Sequence, residues 1–69
     1  MHKDDYYIIS ENSEDRLDST DSLQDALRLA RDLAREGQAG DAISIEHRGK
    51  VIRQLVRMPD GRVAEEEIR

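Results

Sequence analysis

Hydrophobic positions along this chain fall into two kinds of pattern. Between residues 22 and 37 they recur at spacings of three and four: Leu23, Ala26, Leu27, Ala30, Leu33 and Ala34. At about 100° per residue these positions make one stripe with Leu29 on its flank, which predicts an amphipathic helix over about 22–36. Gln24, Asp25, Arg28, Arg31, Asp32, Arg35 and Glu36 take the opposite arc. There Asp25 with Arg28, Arg28 with Asp32 and Asp32 with Arg35 are spaced to pair. Both helix ends are marked. Ser22-Leu23-Gln24-Asp25 reads as a capping box, the Ser22 hydroxyl accepting from the Asp25 amide and the Asp25 carboxylate returning to Ser22. Gly37 stands where a left-handed residue closes a helix.

The segments on either side are β-like. Asp5 to Ser10, built on Tyr6-Tyr7-Ile8-Ile9, predicts a first strand that ends in the polar run Glu11 to Asp15. Arg16 to Thr20 returns as a short second strand with Leu17 inward. After the helix, Asp41 to His47 alternates, with Ile43 and Ile45 on one side and Ser44 and Glu46 on the other. His47-Arg48-Gly49-Lys50 closes a tight hairpin, Gly49 supplying the positive φ such a turn needs. Val51 to Met58 is the next strand, and Pro59-Asp60-Gly61 is a turn. Val63 to Ile68 either pairs back as an edge strand or, through Glu65-Glu66-Glu67, forms a frayed or helical tail. These elements predict one α+β domain over 1–69, with 1–4 a mobile end and 65–69 a second one where the tail alternative holds. Its sheet has three or four mostly antiparallel strands, with the helix packed on one face.

Composition narrows the classes. The chain has 69 residues, of which 36% are apolar and 39% charged, with no Phe, Trp or Cys. A chain this short buries only about 60% of its unfolded surface, so a lone core of Leu, Ile, Val and Ala is marginal. Without cysteine there is no disulfide framework, thiolate metal site or redox pair. The apolar runs are too short to cross a bilayer. Met1-His2-Lys3-Asp4-Asp5 lacks the basic start and apolar stretch of a signal peptide, so a cytoplasmic location is expected.

The net charge of −5 is unevenly spread. Residues 1–25 hold eight acids against Lys3 and Arg16, whereas residues 42–64 hold Arg48, Lys50, Arg53, Arg57 and Arg62 against Glu46 and Asp60. A basic hairpin over 48–62 is the feature a weak nucleic-acid binder would use. Against that reading stand the scarcity of aromatics for base stacking and a global charge that repels phosphate. Arg53 and Arg57 on the solvent side of a strand, paired with nearby acids, is the plainer expectation.

Catalytic and metal patterns are missing. His2 sits beside Asp4 and Asp5 at the terminus, and its spacing matches no recognised metal site. His47 and Ser44 lie three apart on an extended strand, so their side chains point to opposite faces. Asp15, Asp18 and Asp21 recur every three residues without the glycine and glutamate of a calcium loop. Gly37, Gly40, Gly49 and Gly61 are scattered and form no phosphate loop. The expectation is a protein without catalysis, metal or cofactor.

Self-association is the function the pattern argues best. A half-exposed strand should present one polar face. In 51–58, Ile52, Val56 and Met58 share one parity while Val51 and Leu55 share the other, interrupted by Arg53. In the first strand Tyr6 and Ile8 oppose Tyr7 and Ile9. One helix covers one side, so apolar groups remain on the other, an arrangement that marks an association surface. The expected surface is Tyr6, Ile8, Val51, Arg53, Leu55 and Arg57, serving a homodimer or a protein partner, with no membrane.

The stretch Ser22-Leu-Gln-Asp-Ala-Leu-Arg-Leu-Ala-Arg-Asp-Leu-Ala-Arg-Glu-Gly37, preceded by the Tyr-Tyr-Ile-Ile strand, resembles a group of short bacterial proteins of unknown function. In that group a strand and polar turn lead to a Thr/Ser-x-x-Glu-Ala helix ending Ala-Arg-x-Leu-Ala, then a short strand and an Asp-Gly turn. Ile43 to Ile45 and Asp60-Gly61 match those later parts. The resemblance covers roughly residues 6–47 and implies the sheet-plus-helix fold but no activity. The element order is also similar to the antidote half of the HicA–HicB toxin–antitoxin pair, which implies an antitoxin-like regulatory role as the alternative.

Overall fold

A computed structural model describes residues 5–68. Five strands and one helix follow in the order β1 (Tyr6–Ser10), β2 (Arg16–Thr20), α1 (Leu23–Glu36), β3 (Ala42–His47), β4 (Lys50–Arg57) and β5 (Val63–Glu67). The strands form one sheet in the order β2-β1-β3-β4-β5, every neighbouring pair antiparallel. Helix α1 carries the chain from edge strand β2, across one face, to central strand β3. The α+β two-layer architecture agrees with the sequence pattern. The strand count is five because both uncertain segments, 16–20 and 63–67, pair as edges. Of the two alternatives for 63–68, the edge strand is the one that forms: Glu65, Glu66 and Glu67 pair with Leu55, Gln54 and Arg53. The expected mobile segment 1–4, with His2, lies outside the described residues, as does Arg69.

Alanine determines how the layers meet. Ala26, Ala30 and Ala34 are the fully buried residues of α1, at spacings of four along its inner line. Their short side chains let the helix lie close on Ile8, Ile43, Ile45 and Leu55. Leu23, Leu27, Leu29 and Leu33 pack around that contact and remain half-buried. The outer pairs Asp25–Arg28 and Asp32–Arg35 form at 3.3 and 3.4 Å. Beyond Leu27, Arg31 reaches across to β5 and binds Glu65 through two hydrogen bonds of 2.9 and 3.2 Å. Those bonds, and then the carboxylate's charge, raise the Arg31 pKa above its ordinary value.

At the N-terminus of α1 half of the expected capping box forms, and at the C-terminus the expected left-handed residue does not. The Ser22 side chain accepts from the Asp25 amide at 3.4 Å, as a cap should. The return half differs: the Ser22 amide donates to Thr20 Oγ1, and Asp25 engages Arg28. Gly37 is extended (φ −80°, ψ −174°), not left-handed. A Cβ there would sit 2.9 Å from Asp41 Oδ2, so a larger residue would push that carboxylate aside. That carboxylate ties the loop together, accepting from the Gln38 amide and, through Oδ1, from Asn12. The left-handed role falls to Gly40, at φ 92°.

The hairpin turns follow their sequences. Arg48 and Gly49 both have positive φ, 53° and 79°, as a two-residue hairpin of the right twist requires. In the next turn Pro59 and Asp60 occupy the corners, and the Gly61 amide closes on the Met58 carbonyl at 3.0 Å.

Candidate interaction face

Pairing register assigns every strand residue to a side of the sheet, because directly opposed residues point the same way. The helix side collects Tyr6 and Ile8 of β1, Ile43, Ile45 and His47 of β3, and Arg53, Leu55 and Arg57 of β4. The other side, which no helix covers, collects Tyr7 and Ile9 of β1, Ala42, Ser44 and Glu46 of β3, and Val51, Gln54 and Val56 of β4. Ala64 and Glu66 of β5 continue it.

Two bulges decide these assignments. Between Ile45 and Glu46 the register with β4 shifts, so Ile45 opposes Arg53 while Glu46 opposes Val51. Ile52 is the extra residue, and Val51 therefore leaves the face of Leu55 and joins that of Val56. A second shift between Ile8 and Ile9 makes Leu17 the extra residue of β2. Leu17 is 43% exposed there, not inward as expected.

The expected association surface is corrected accordingly. Ile8 and Leu55 are fully buried beneath the helix, and Tyr6 packs against the same core. Arg53 and Arg57 lie on the helix side too, not on a solvent face. The Arg57 guanidinium donates to the carbonyls of Arg35 and Gly37, closing the C-terminal end of α1. Arg53 donates to the Ile52 carbonyl and stands 3.9 Å from Glu67. Of the six residues, Val51 alone is on the helix-free side, 39% exposed. Tyr7, Ile9 and Val56 belong to that side and were missed. Their signal was the parity of β3, where Ile43 and Ile45 mark the core and Ser44 and Glu46 the outside; what was hidden was the register carrying that parity across.

On the helix-free side, apolar and polar groups interleave. Ile9, Val56 and Tyr7 are half-buried by their neighbours alone. The Arg16 guanidinium lies over the Tyr7 ring, 4.4 Å from its centroid. Gln54 donates to Glu11 at 2.6 Å. At the centre, Ser44 is sunk to 2% exposure, and its hydroxyl has no hydrogen-bond partner. A buried hydroxyl left unpaired costs about 1–3 kcal/mol.

The remaining chemistry is sparse. His47 stacks on Tyr6, ring centroids 4.0 Å apart, on the side opposite Ser44, so the two do not form a nucleophile–base pair. Among the described residues, no three His, Asp or Glu groups gather as a metal site. No helix there is long and apolar enough to cross a membrane. A shallow groove of about 510 Å³ runs beside the β4–β5 turn, lined by Met58, Pro59, Asp60, Arg62, Val63 and Ala64. Arg62 there is paired with Asp60 at 3.1 Å. No family model, no curated protein and no solved structure matches this chain.

Proposed function

We propose that this protein is a non-enzymatic interaction module that self-associates through the helix-free side of its sheet. The observation that supports this reading most is the uncovered surface made by Tyr7, Ile9, Val51 and Val56 around Ser44, whose sunken hydroxyl is unpaired within the chain. A one-helix, 69-residue domain with three alanines in its core gains from burying a second surface. Five strands at about 4.8 Å spacing make a face roughly 24 Å wide and 20 Å tall, so covering it with a second copy removes on the order of 1,000 Å² in total. That is the lower end of specific interfaces, fitting a dimer that forms at micromolar concentration.

The charged residues of this face include Glu11, Glu46 and Glu66 against Arg16, a balance unsuited to a polyanion. Two arginines of the basic hairpin, Arg53 and Arg57, are engaged on the helix side.

The test compares wild type with Val56→Glu by light scattering across a concentration series. Wild type is expected to reach dimer mass by tens of micromolar. The variant is expected to stay monomeric with unchanged far-ultraviolet dichroism. A wild-type chain that remains monomeric and folded at those concentrations overturns the reading.

A further inference from the structure

Resting on the self-association proposed above, we infer how the two copies meet: their two-fold axis runs along β3 beneath Ser44, setting Arg16 of each copy against Glu66 of the other. One register row crosses all five strands on the helix-free side. It runs Arg16, Ile9, Ser44, Gln54, Glu66. A cation stands at one end on β2 and an anion at the other on β5, with the small Ser44 at the midpoint.

Two sheets stacked face to face keep their strands within about 30° of parallel. A two-fold axis in the interface, parallel to the strands, reverses the row on the second copy. Arg16 then meets Glu66, Ile9 meets Gln54, and Ser44 lies over its own counterpart. In the adjoining row, Tyr7, Glu46 and Val51, the same operation sets Tyr7 against Val51. An axis perpendicular to the strands instead lays every residue of the first row on itself, Arg16 on Arg16 and Glu66 on Glu66. Like charges directly opposed oppose association, so charge selects the parallel axis.

Two details fit that choice. Stacking on Tyr7 holds the Arg16 guanidinium over this face. Ser44, at 2% exposure, leaves no bulk on the axis, so the larger Ile9 and Val56 to either side reach the second copy. One feature opposes it. The parallel axis also brings the two Glu46 carboxylates together, which caps the affinity and supplies a substitution that strengthens the dimer.

The experiment is charge exchange, read by sedimentation equilibrium at low ionic strength with Arg16→Glu and Glu66→Arg. Both positions are exposed in the single chain, so dichroism should report an unchanged fold. Each variant alone is expected to dimerise about tenfold more weakly, because both cross-pairs become repulsive. An equimolar mixture is expected to recover wild-type affinity, since the acidic site of one variant meets the basic site of the other at both ends. Glu46→Gln is expected to tighten the wild-type dimer. If wild type dimerises while the single variants associate equally well, or the mixture shows no recovery, this geometry is overturned and self-association stands. If wild type does not dimerise at all, self-association fails and the geometry with it.

Discussion

The two sides of this sheet are built from alternate residues of the same strands, yet they reach opposite solutions to burial. On the helix side, Ile8, Ile45 and Leu55 are fully buried; at the rim Glu65 is bound by Arg31, and Arg57 donates through Nη1 to the helix-end carbonyls while its Nε is buried without a partner. On the other side, no comparable residue is closed off except Ser44, and its hydroxyl is unmatched. Among the described residues each side therefore holds one buried polar atom without a partner, and what separates the sides is the depth of apolar burial: complete at Ile8, Ile45 and Leu55, partial at Tyr7, Ile9 and Val56. The same β4 strand displays both, with Leu55 facing one way and Val51 the other.

That contrast is tested most severely within β4. Leu55→Ala should cost about 2–5 kcal/mol. A chain of this length is stable by roughly 3–10 kcal/mol in all, so urea denaturation should show a large fraction of that stability lost, with a much lower midpoint. Val51→Ala, four positions away and on the opposite side, should cost about 0.5 kcal/mol or less in dilute solution, where no partner covers it. Equal losses at the two positions would erase the distinction between the faces.

A smaller effect is expected at the rim of the covered side. Arg57→Met keeps much of the side-chain stem but removes the donors to Arg35 and Gly37, and should cost about 1–3 kcal/mol in thermal melts. Ser22→Ala removes the N-cap acceptor and should cost about 1 kcal/mol, visible as fraying of the first helical turn in amide exchange. The smallest change belongs to Arg31→Gln. Its bridge to Glu65 is solvent-accessible, so the melting temperature should not move measurably. A large drop there would mean that β5 depends on the helix for its place in the sheet.

How much of this was legible follows from where each signal resides. The helix was plain because its periodicity and its Ser22 cap are both local. The hairpins at Arg48-Gly49 and Pro59-Asp60-Gly61 were plain for the same reason. Gly37 differs from the expected left-handed residue because its backbone is extended and faces the Asp41 carboxylate, a neighbour specified only once the loop folds back. The candidate face was misjudged through β4. Counting by twos along 51–58 joins Val51 to Leu55, and the extra residue Ile52 separates them. Nothing local announces that bulge, which arises from pairing with β3. The arginines misled in the same place: Arg53 and Arg57 flank Leu55 and look like a solvent face, but their long stems carry charge to the rim of the core side. The apolar face of β1 was likewise unassignable from Tyr6-Tyr7-Ile8-Ile9 alone, because both parities are apolar.

Contacts between chains report directly on the helix-free side as the proposed association surface. A mixed sample, half isotope-labelled and half unlabelled, at several hundred micromolar allows filtered nuclear Overhauser spectra to show only contacts between chains. Cross-chain contacts are expected from the methyl groups of Ile9, Val51 and Val56, and none from Ile8, Ile45 or Leu55. Cross-chain contacts confined to the outer face of α1 or to the β5 edge, or none at all, would rule out association through this side.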